Sequence, residues 1–232
     1  AQLTGECVGD VAACSTAGAM NIRNGQWDAE LCEVAEIDMT ILPHLHNPQD
    51  NIGTVTESAA QRTGFSAGTA VYAGIGDAGA TTLASGVSHP GQYNINIGTS
   101  GWIATVSPEP FTDKPGAANL AFGVEEGFVN AVPFLNAGDV HKWVTGVFSD
   151  GDYAEAHQLI KTSKPGSNGV LCLPYLVGER FPVMNPNIRG AYVGLDPDTT
   201  KADMMRAALE GVAFSIRQGM ESFDAKPTEI SL

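Results

Sequence analysis

Two short segments hold residues whose types and spacing could do chemistry. In Gly76-Asp77-Ala78-Gly79-Ala80, a carboxylate flanked by glycines follows the apolar run at residues 70–75. Open sheets of mixed α/β proteins present reactive groups where a strand runs out into such a turn. A carboxylate there can take the proton of a hydroxyl while the hydroxyl oxygen attacks, which is the work of a general base. It can equally cap a helix starting at Ala78, a common task for aspartate, and the residues alone leave both readings open. Further on, Gly98-Thr99-Ser100-Gly101 offers two glycines that let backbone amides approach an anion, and two hydroxyls that can donate to phosphate oxygens. The same four residues would serve as an ordinary hairpin turn. They are not the GxxxxGK[ST] phosphate loop, because no lysine follows.

A third segment, Gly178-Glu179-Arg180-Phe181-Pro182 followed by Asn185-Pro186-Asn187-Ile188-Arg189-Gly190, sets charges among prolines and glycines. It reads either as a solvated loop or as a loop held rigid by an ion pair of Glu179 with Arg180 or Arg189. His44 and His46 share a loop with no third ligand nearby, so no metal site is expected there. Cys7, Cys14, Cys32 and Cys172 match neither a CxxC pair nor zinc-ligand spacing and read as core thiols of a protein in a reducing cytoplasm. Trp27, Trp102 and Trp143 also read as core.

The elements that must position these residues follow from pattern. The small-residue stretch at residues 9–18 suits close backbone packing. Met20-Asn21-Ile22 predicts a short strand turned at Asn24-Gly25, and a helix from Asp28 to about Ile37 would carry Leu31, Val34 and Ala35 on one face. A loop is expected over residues 43–51 and a helix from Thr56. The run at 70–75 reads as a buried strand, with a small-residue helix over residues 81–85. Residues 92–97 and 102–106 read as two strands of a hairpin about the Gly98 turn. Residues 128–132 and 169–174 read as further strands, and residues 138–147 as a helix containing Trp143. From Thr200 the helical spacing of Met204, Ala208, Gly211, Val212 and Ser215 is the strongest in the chain, and residues 227–232 read as a helix exit and the start of a buried strand.

Composition sets the outer limits. The 232 residues can bury a substantial core as one domain or two, and two are expected. No apolar run approaches the ~20 residues of a membrane-spanning helix. A formal charge of −14 argues against a generic nucleic-acid or anionic-membrane surface. The first residues, Ala1-Gln2-Leu3-Thr4, carry neither an initiator methionine nor a signal pattern, so the chain is expected to start inside a longer polypeptide.

The order and spacing of these segments resemble the FGGY family of carbohydrate kinases, nearest in look to its xylulokinases and then its gluconokinases. Gly-Asp77-Ala-Gly-Ala resembles the family's catalytic-base motif, and Gly98-Thr99-Ser100-Gly101 its phosphate-binding hairpin. Asn136-Ala137-Gly138-Asp139-Val140-His141-Lys142-Trp143 is similar to its nucleotide-contacting helix start. Pro174-Tyr175-Leu176-Val177-Gly178-Glu179-Arg180 and the stretch from Arg189 to Leu195 resemble its interdomain segment, and residues 190–210, with Asp203, Ala207 and Glu210, its signature helix. Asp10 resembles a first-domain aspartate whose role the sequence leaves unassigned.

The resemblance implies an α/β chain of the two-domain actin-like ATPase, ribonuclease H-like type, with both domains incomplete. Residues 1–87 would be the C-terminal part of the sugar-binding domain and 88–232 most of the ATP-binding domain, with the active site in the cleft between them. It implies Asp77 as catalytic base and sugar contact and Ala78 as a substrate-binding position. Many members have an amide side chain where this chain has Ala78. Gly98, Thr99, Ser100, Gly138 and Lys142 would be ATP contacts. ATP, Mg²⁺ and a small sugar are the implied partners, with a homodimer allowed and neither nucleic acid nor membrane expected. Missing are the family's N-terminal DxGT-type turn and its C-terminal adenine loop, so this polypeptide alone is expected to be inactive. A sugar-binding pseudokinase and a regulatory actin-like ATPase are the alternative readings.

Overall fold

The computed structural model describes residues 1–114, 116–223 and 226–232. They fall into two compact units. One comprises Ala1–Gln92, Thr105–Phe111 and Asn119–Asn130, the other Tyr93–Ala104, Thr112–Ala118 and Ala131–Leu232.

In the first unit, strand β1 (Val8–Asp10) runs into the short helix α1 (Val11–Cys14). Asp10 divides the two because its extended backbone lets its carboxylate accept from the Ala13 amide, satisfying one of the helix's orphan donors. As expected, the Asn24-Gly25 turn joins β2 (Met20–Asn21) to β3 (Gln26–Trp27), with Gly25 at φ 65°, where a side chain would be strained. Helix α2 (Ala29–Val34) is capped by Asp28 and leaves its Leu31 and Val34 face unburied. Leu31 and Val34 are exposed and Cys32 points inward, since so short a helix has too little surface for apolar spacing to report burial.

The histidine-containing loop includes a strand, β4 (His44–His46), parallel to β1 with Asp10 opposite His46. Strands β5 (Asn51–Thr54) and β6 (Ala70–Tyr72) pair antiparallel around α3 (Glu57–Thr63), which Thr56 caps. The expected burial of the apolar run fails, because Tyr72 is 58% exposed on a ribbon of only two strands. Helix α4 (Asp77–Ala84) starts at Asp77 itself rather than at Thr81. Val11, Met20 and Ala121 centre this unit's core, with Ile22, Trp27 and Leu45 packed against them, while Cys7 is exposed rather than a core thiol.

Of β7 (Gln92–Ile97) and β8 (Gly101–Ser107) the second unit holds Tyr93–Ile97 and Gly101–Ala104; β9 (Ala118–Ala121) lies, but for Ala118, in the first unit, and of β10 (Phe128–Phe134) the second holds Ala131–Phe134. Helices α5 (Gly138–Phe148) and α6 (Tyr153–Thr162) follow, then β11 (Leu171–Leu173) and β12 (Ala191–Val193), which pair antiparallel. Helix α7 (Lys201–Glu221) precedes β13 (Glu229–Ser231). The five-stranded sheet has the order β13-β7-β8-β10-β9. Thr200 and Asp203 cap α7 reciprocally, each side chain accepting from the other's backbone amide. Ala208, Gly211, Val212 and Ser215 of the expected spacing are buried, but Met205 rather than Met204 joins Ala208 and Val212 in the core with Val140 and Val144 of α5 and Ala156 of α6.

Three expectations fail in this unit. Ile230 on β13 is 47% exposed, and on β11 only Cys172 is buried. Trp143 is half-exposed and lines a cavity of about 260 Å³ with Leu173, Arg189 and Tyr192, where a core position was expected. Among the described residues, no helix is long and apolar enough to cross a membrane.

Candidate active site

Asp77 is the first residue of α4 and is exposed, following Gly76, the N-cap. Of the two readings open from its residue type, capping of α4 by the Asp77 side chain is not the arrangement found. Gly76 occupies the cap, and Asp77 Oδ1 accepts at 2.8 Å from the amide of Ala78, its immediate neighbour. A carboxylate at this point also complements the positive end of the helix dipole. Ala12, Ala13, Thr16 and Ala78 line a cavity of about 140 Å³ with Asp77, so methyl groups make up much of its wall. Asp10 Oδ1 reaches the same turn, accepting from the Gly76 amide at 3.4 Å.

Gly98, Thr99 and Ser100 form the turn between β7 and β8, as the pattern predicts, and all three are exposed. The turn closes through the Gly98 amide, which donates to the Ser100 carbonyl at 2.8 Å. Gly101, the first residue of β8, has to be glycine, because a Cβ there would stand 2.5 Å from the Asn96 carbonyl oxygen and 2.5 Å from the Phe134 ring. Among the described residues, the amides and hydroxyls of Thr99 and Ser100 have no partner within the chain. The turn therefore leaves four polar donors free on its outer side.

Gly138 comes up against this turn, so two segments distant in sequence meet. Its amide donates to the Gly98 carbonyl at 2.8 Å, and the Asp139 amide to the Thr99 carbonyl at 3.1 Å. Asp139 Oδ1 in turn accepts from the Ala137 and Val140 amides at 2.8 and 2.9 Å. The first amides of α5 are thus spent on the turn and on Asp139. The helix start fixes the turn's position and offers no amides of its own to an anion. Gly138 has to be glycine for a steric reason, since a Cβ would lie 2.5 Å from the Gly98 oxygen. Lys142, one turn further along α5, is exposed and has no ion-pair partner among the described residues.

The segment ahead of α5 is held by a buried polar pair that residue types alone did not disclose. Asn136 is 0% exposed and uses both ends of its amide. Its Oδ1 accepts from the Leu176 and Val177 amides at 2.8 and 3.3 Å, and its Nδ2 donates to the Gly178 carbonyl and to Glu179 Oε2 at 2.6 and 3.0 Å. Glu179, 2% exposed, takes the Leu135 and Arg180 amides on Oε1, each at 2.7 Å. Of the two readings of this loop, an ion pair of Glu179 with Arg180 or Arg189 is not the arrangement found. Arg189 donates instead to the carbonyls of Pro186 and Ile188, and Glu179 is satisfied by amides. Amide donors suffice for a buried carboxylate, because hydrogen bonds to the charged form offset its desolvation. The signal available was an Asn just before Ala-Gly-Asp, a residue type that rarely enters a core unless its polar atoms are met.

Two acids on α7 tie down the turn after α6. Asp203 accepts from Ser163 Oγ and Asn168 Nδ2 as well as from Thr200, and these bonds, that of Ser163 foremost, hold its carboxyl down to about 2. Burial pushes Glu210 up, but the Gly166 amide, the Ser167 hydroxyl and Arg206 outweigh it and leave the carboxyl below its ordinary range.

Asp77 and Ala78 thus belong to the first unit, and Gly98, Thr99, Ser100, Gly138 and Lys142 to the second, where the turn and the start of α5 are in contact. The fold is the α/β, actin-like ATPase or ribonuclease H-like type. The ligand-bound xylulose kinase from Lactobacillus acidophilus has the same fold, with a TM-score of 0.91 at 28% identity, covering 99% of this chain and 48% of that one.

The N-terminal domain model of the FGGY family of carbohydrate kinases matches residues 1–84 and the C-terminal domain model residues 93–232; the chain belongs to this family. A xylulose kinase of Staphylococcus epidermidis is 34% identical over 206 residues, covering 88% of this chain and 41% of the relative. The gluconokinase of Bacillus subtilis is 31% identical over 226 residues, covering 93% and 44%. The chain therefore spans under half the length of these curated relatives.

Proposed function

We propose that the protein phosphorylates a hydroxyl of a sugar or sugar acid at the expense of ATP. Residues 1–87 would belong to the sugar-binding domain and residues 88–232 to the ATP-binding domain. The Asp77 carboxylate takes the proton of the attacking hydroxyl as its oxygen bonds to the γ-phosphorus and the bond to ADP breaks. Thr99 and Ser100 donate to the phosphate oxygens through amides and hydroxyls, with Gly98 allowing close approach. Lys142 adds a cation near the nucleotide. Mg²⁺ belongs to the reading as the ion that ATP phosphates carry, and it would neutralise charge there.

The observation that most supports this reading is the turn at residues 98–100, clasped by Gly138 yet keeping the donors of Thr99 and Ser100 unspent. A turn that served only to reverse the chain would need no such clasp. Xylulose and gluconate are the first acceptors to test, from the names of the relatives. The methyl of Ala78 leaves that position without a hydrogen-bonding group for an acceptor hydroxyl. The test is a panel of ketoses, aldonates and polyols offered to the intact full-length protein with ATP, following ADP release and the phosphorylated product together. ATP hydrolysis that ignores every acceptor would refute the reading.

A further inference from the structure

Asp10 has no part in the chemistry just described, yet the turn presenting Asp77 rests on it. One oxygen, Oδ1, accepts both the Ala13 amide at 2.9 Å and the Gly76 amide at 3.4 Å. Gly76 is the N-cap of α4, extended at φ −60° and ψ 158°, and has no side chain with which to cap its own helix. None would fit. A Cβ on Gly76 would stand 3.1 Å from the Cβ of Ala13 and 3.2 Å from its Cα. On the same side of α4, a Cβ on Gly79 would come within 3.8 Å of Ala12. Helix α1 is therefore a seat against which the start of α4 lies, backbone to backbone. Asp10 itself is fixed by the parallel pairing of β1 with β4, where it stands opposite His46.

We propose that Asp10 is a positioning residue for Asp77, tying the amide of Gly76 to the first turn of α1 and so setting where the catalytic carboxylate stands. The proposal rests on the reading of Asp77 as general base. A cap confined to α1 would need only the Ala13 amide. The second bond, to the residue immediately before Asp77, is what a cap alone leaves unexplained. The groups proposed to touch ATP lie on other segments, so losing this tie should lower turnover without weakening nucleotide binding.

The experiment uses the intact full-length protein with ATP and its best acceptor, comparing D10N, D10S and D77N with the parent. Asparagine keeps an acceptor oxygen in place, whereas serine keeps the cap of α1 but has a shorter reach. A misplacement of about 1 Å can cost up to ~10²-fold in rate. D10S is therefore expected to lose roughly 10- to 100-fold in kcat, with KM for ATP within about twofold of the parent and a near-parental melting temperature. D10N should keep kcat within about threefold. If D10S turns over like the parent while D77N is crippled, the positioning role is wrong and the base assignment stands. If D10S raises KM for ATP in step with its loss of kcat, the role is general and the proposal fails. If D77N keeps its activity, the base reading falls and this inference with it.

Discussion

Substituting Gly138 with alanine tests whether α5 places the turn at residues 98–100. The new Cβ would lie 2.5 Å from the Gly98 oxygen, so helix and turn must part by roughly 1–1.5 Å to reach ordinary contact. A separation of about 1 Å or more strains both bonds joining them, Gly138 to Gly98 and Asp139 to Thr99. Two hydrogen bonds at about 1 kcal/mol each, with ~1–3 kcal/mol for overpacking, are partly offset by ~1 kcal/mol of improved helix propensity. The expected net cost is about 2–4 kcal/mol, expressed at the turn. Calorimetric titration with a non-hydrolysable ATP analogue should show affinity reduced by at least ~10-fold, and the melting temperature should drop. Gly146 in the same helix supplies the control, because a Cβ there meets nothing within 4 Å. G146A should bind nucleotide normally and melt slightly higher. Parental affinity and melting in G138A would refute the clasp.

The buried pair ahead of α5 should be equally sensitive. E179A strands the Leu135 and Arg180 amides and the Asn136 amide group, for an expected loss of about 3 kcal/mol in urea unfolding, whereas E179Q keeps one acceptor and should lose less. Acid should act through Asp203. Its folded pKa of about 2 lies below the ordinary 3.8, so its contribution is full above 3.8 and is lost as pH falls towards 2. That loss, on the order of 1–2 kcal/mol, should show in melts between those limits and vanish in D203N, which is otherwise less stable at neutral pH.

How much of this was legible in the sequence depended on whether the determining contacts were local. The apolar spacing from Thr200 announced α7, and the structure adds the reciprocal cap of Thr200 with Asp203 and the buried face. The turn at residues 98–100 was equally readable, because glycines between two β-type runs leave few alternatives. Strand β4 escaped notice because His-Leu-His among prolines has no strand signature and its partner β1 lies far upstream. Helix α6 was missed although Asp152 caps it by accepting from the Ala154 and Glu155 amides, a signal that was present and unused. The role of Asp10 was invisible for another reason. Its second partner is a backbone amide at Gly76, and neither residue type advertises the contact. Glu179 misled in the opposite way, since arginines adjacent in sequence suggested an ion pair, while the fold supplied amides from another segment.

The most direct measurement is turnover of the acceptor by D77N, which keeps the shape of the side chain and removes its basicity. If Asp77 receives the hydroxyl proton, kcat should fall by ~10²-fold or more with little change in ATP affinity. Turnover within about tenfold of the parent would contradict the account, because no proton acceptor would then be identified for the reaction.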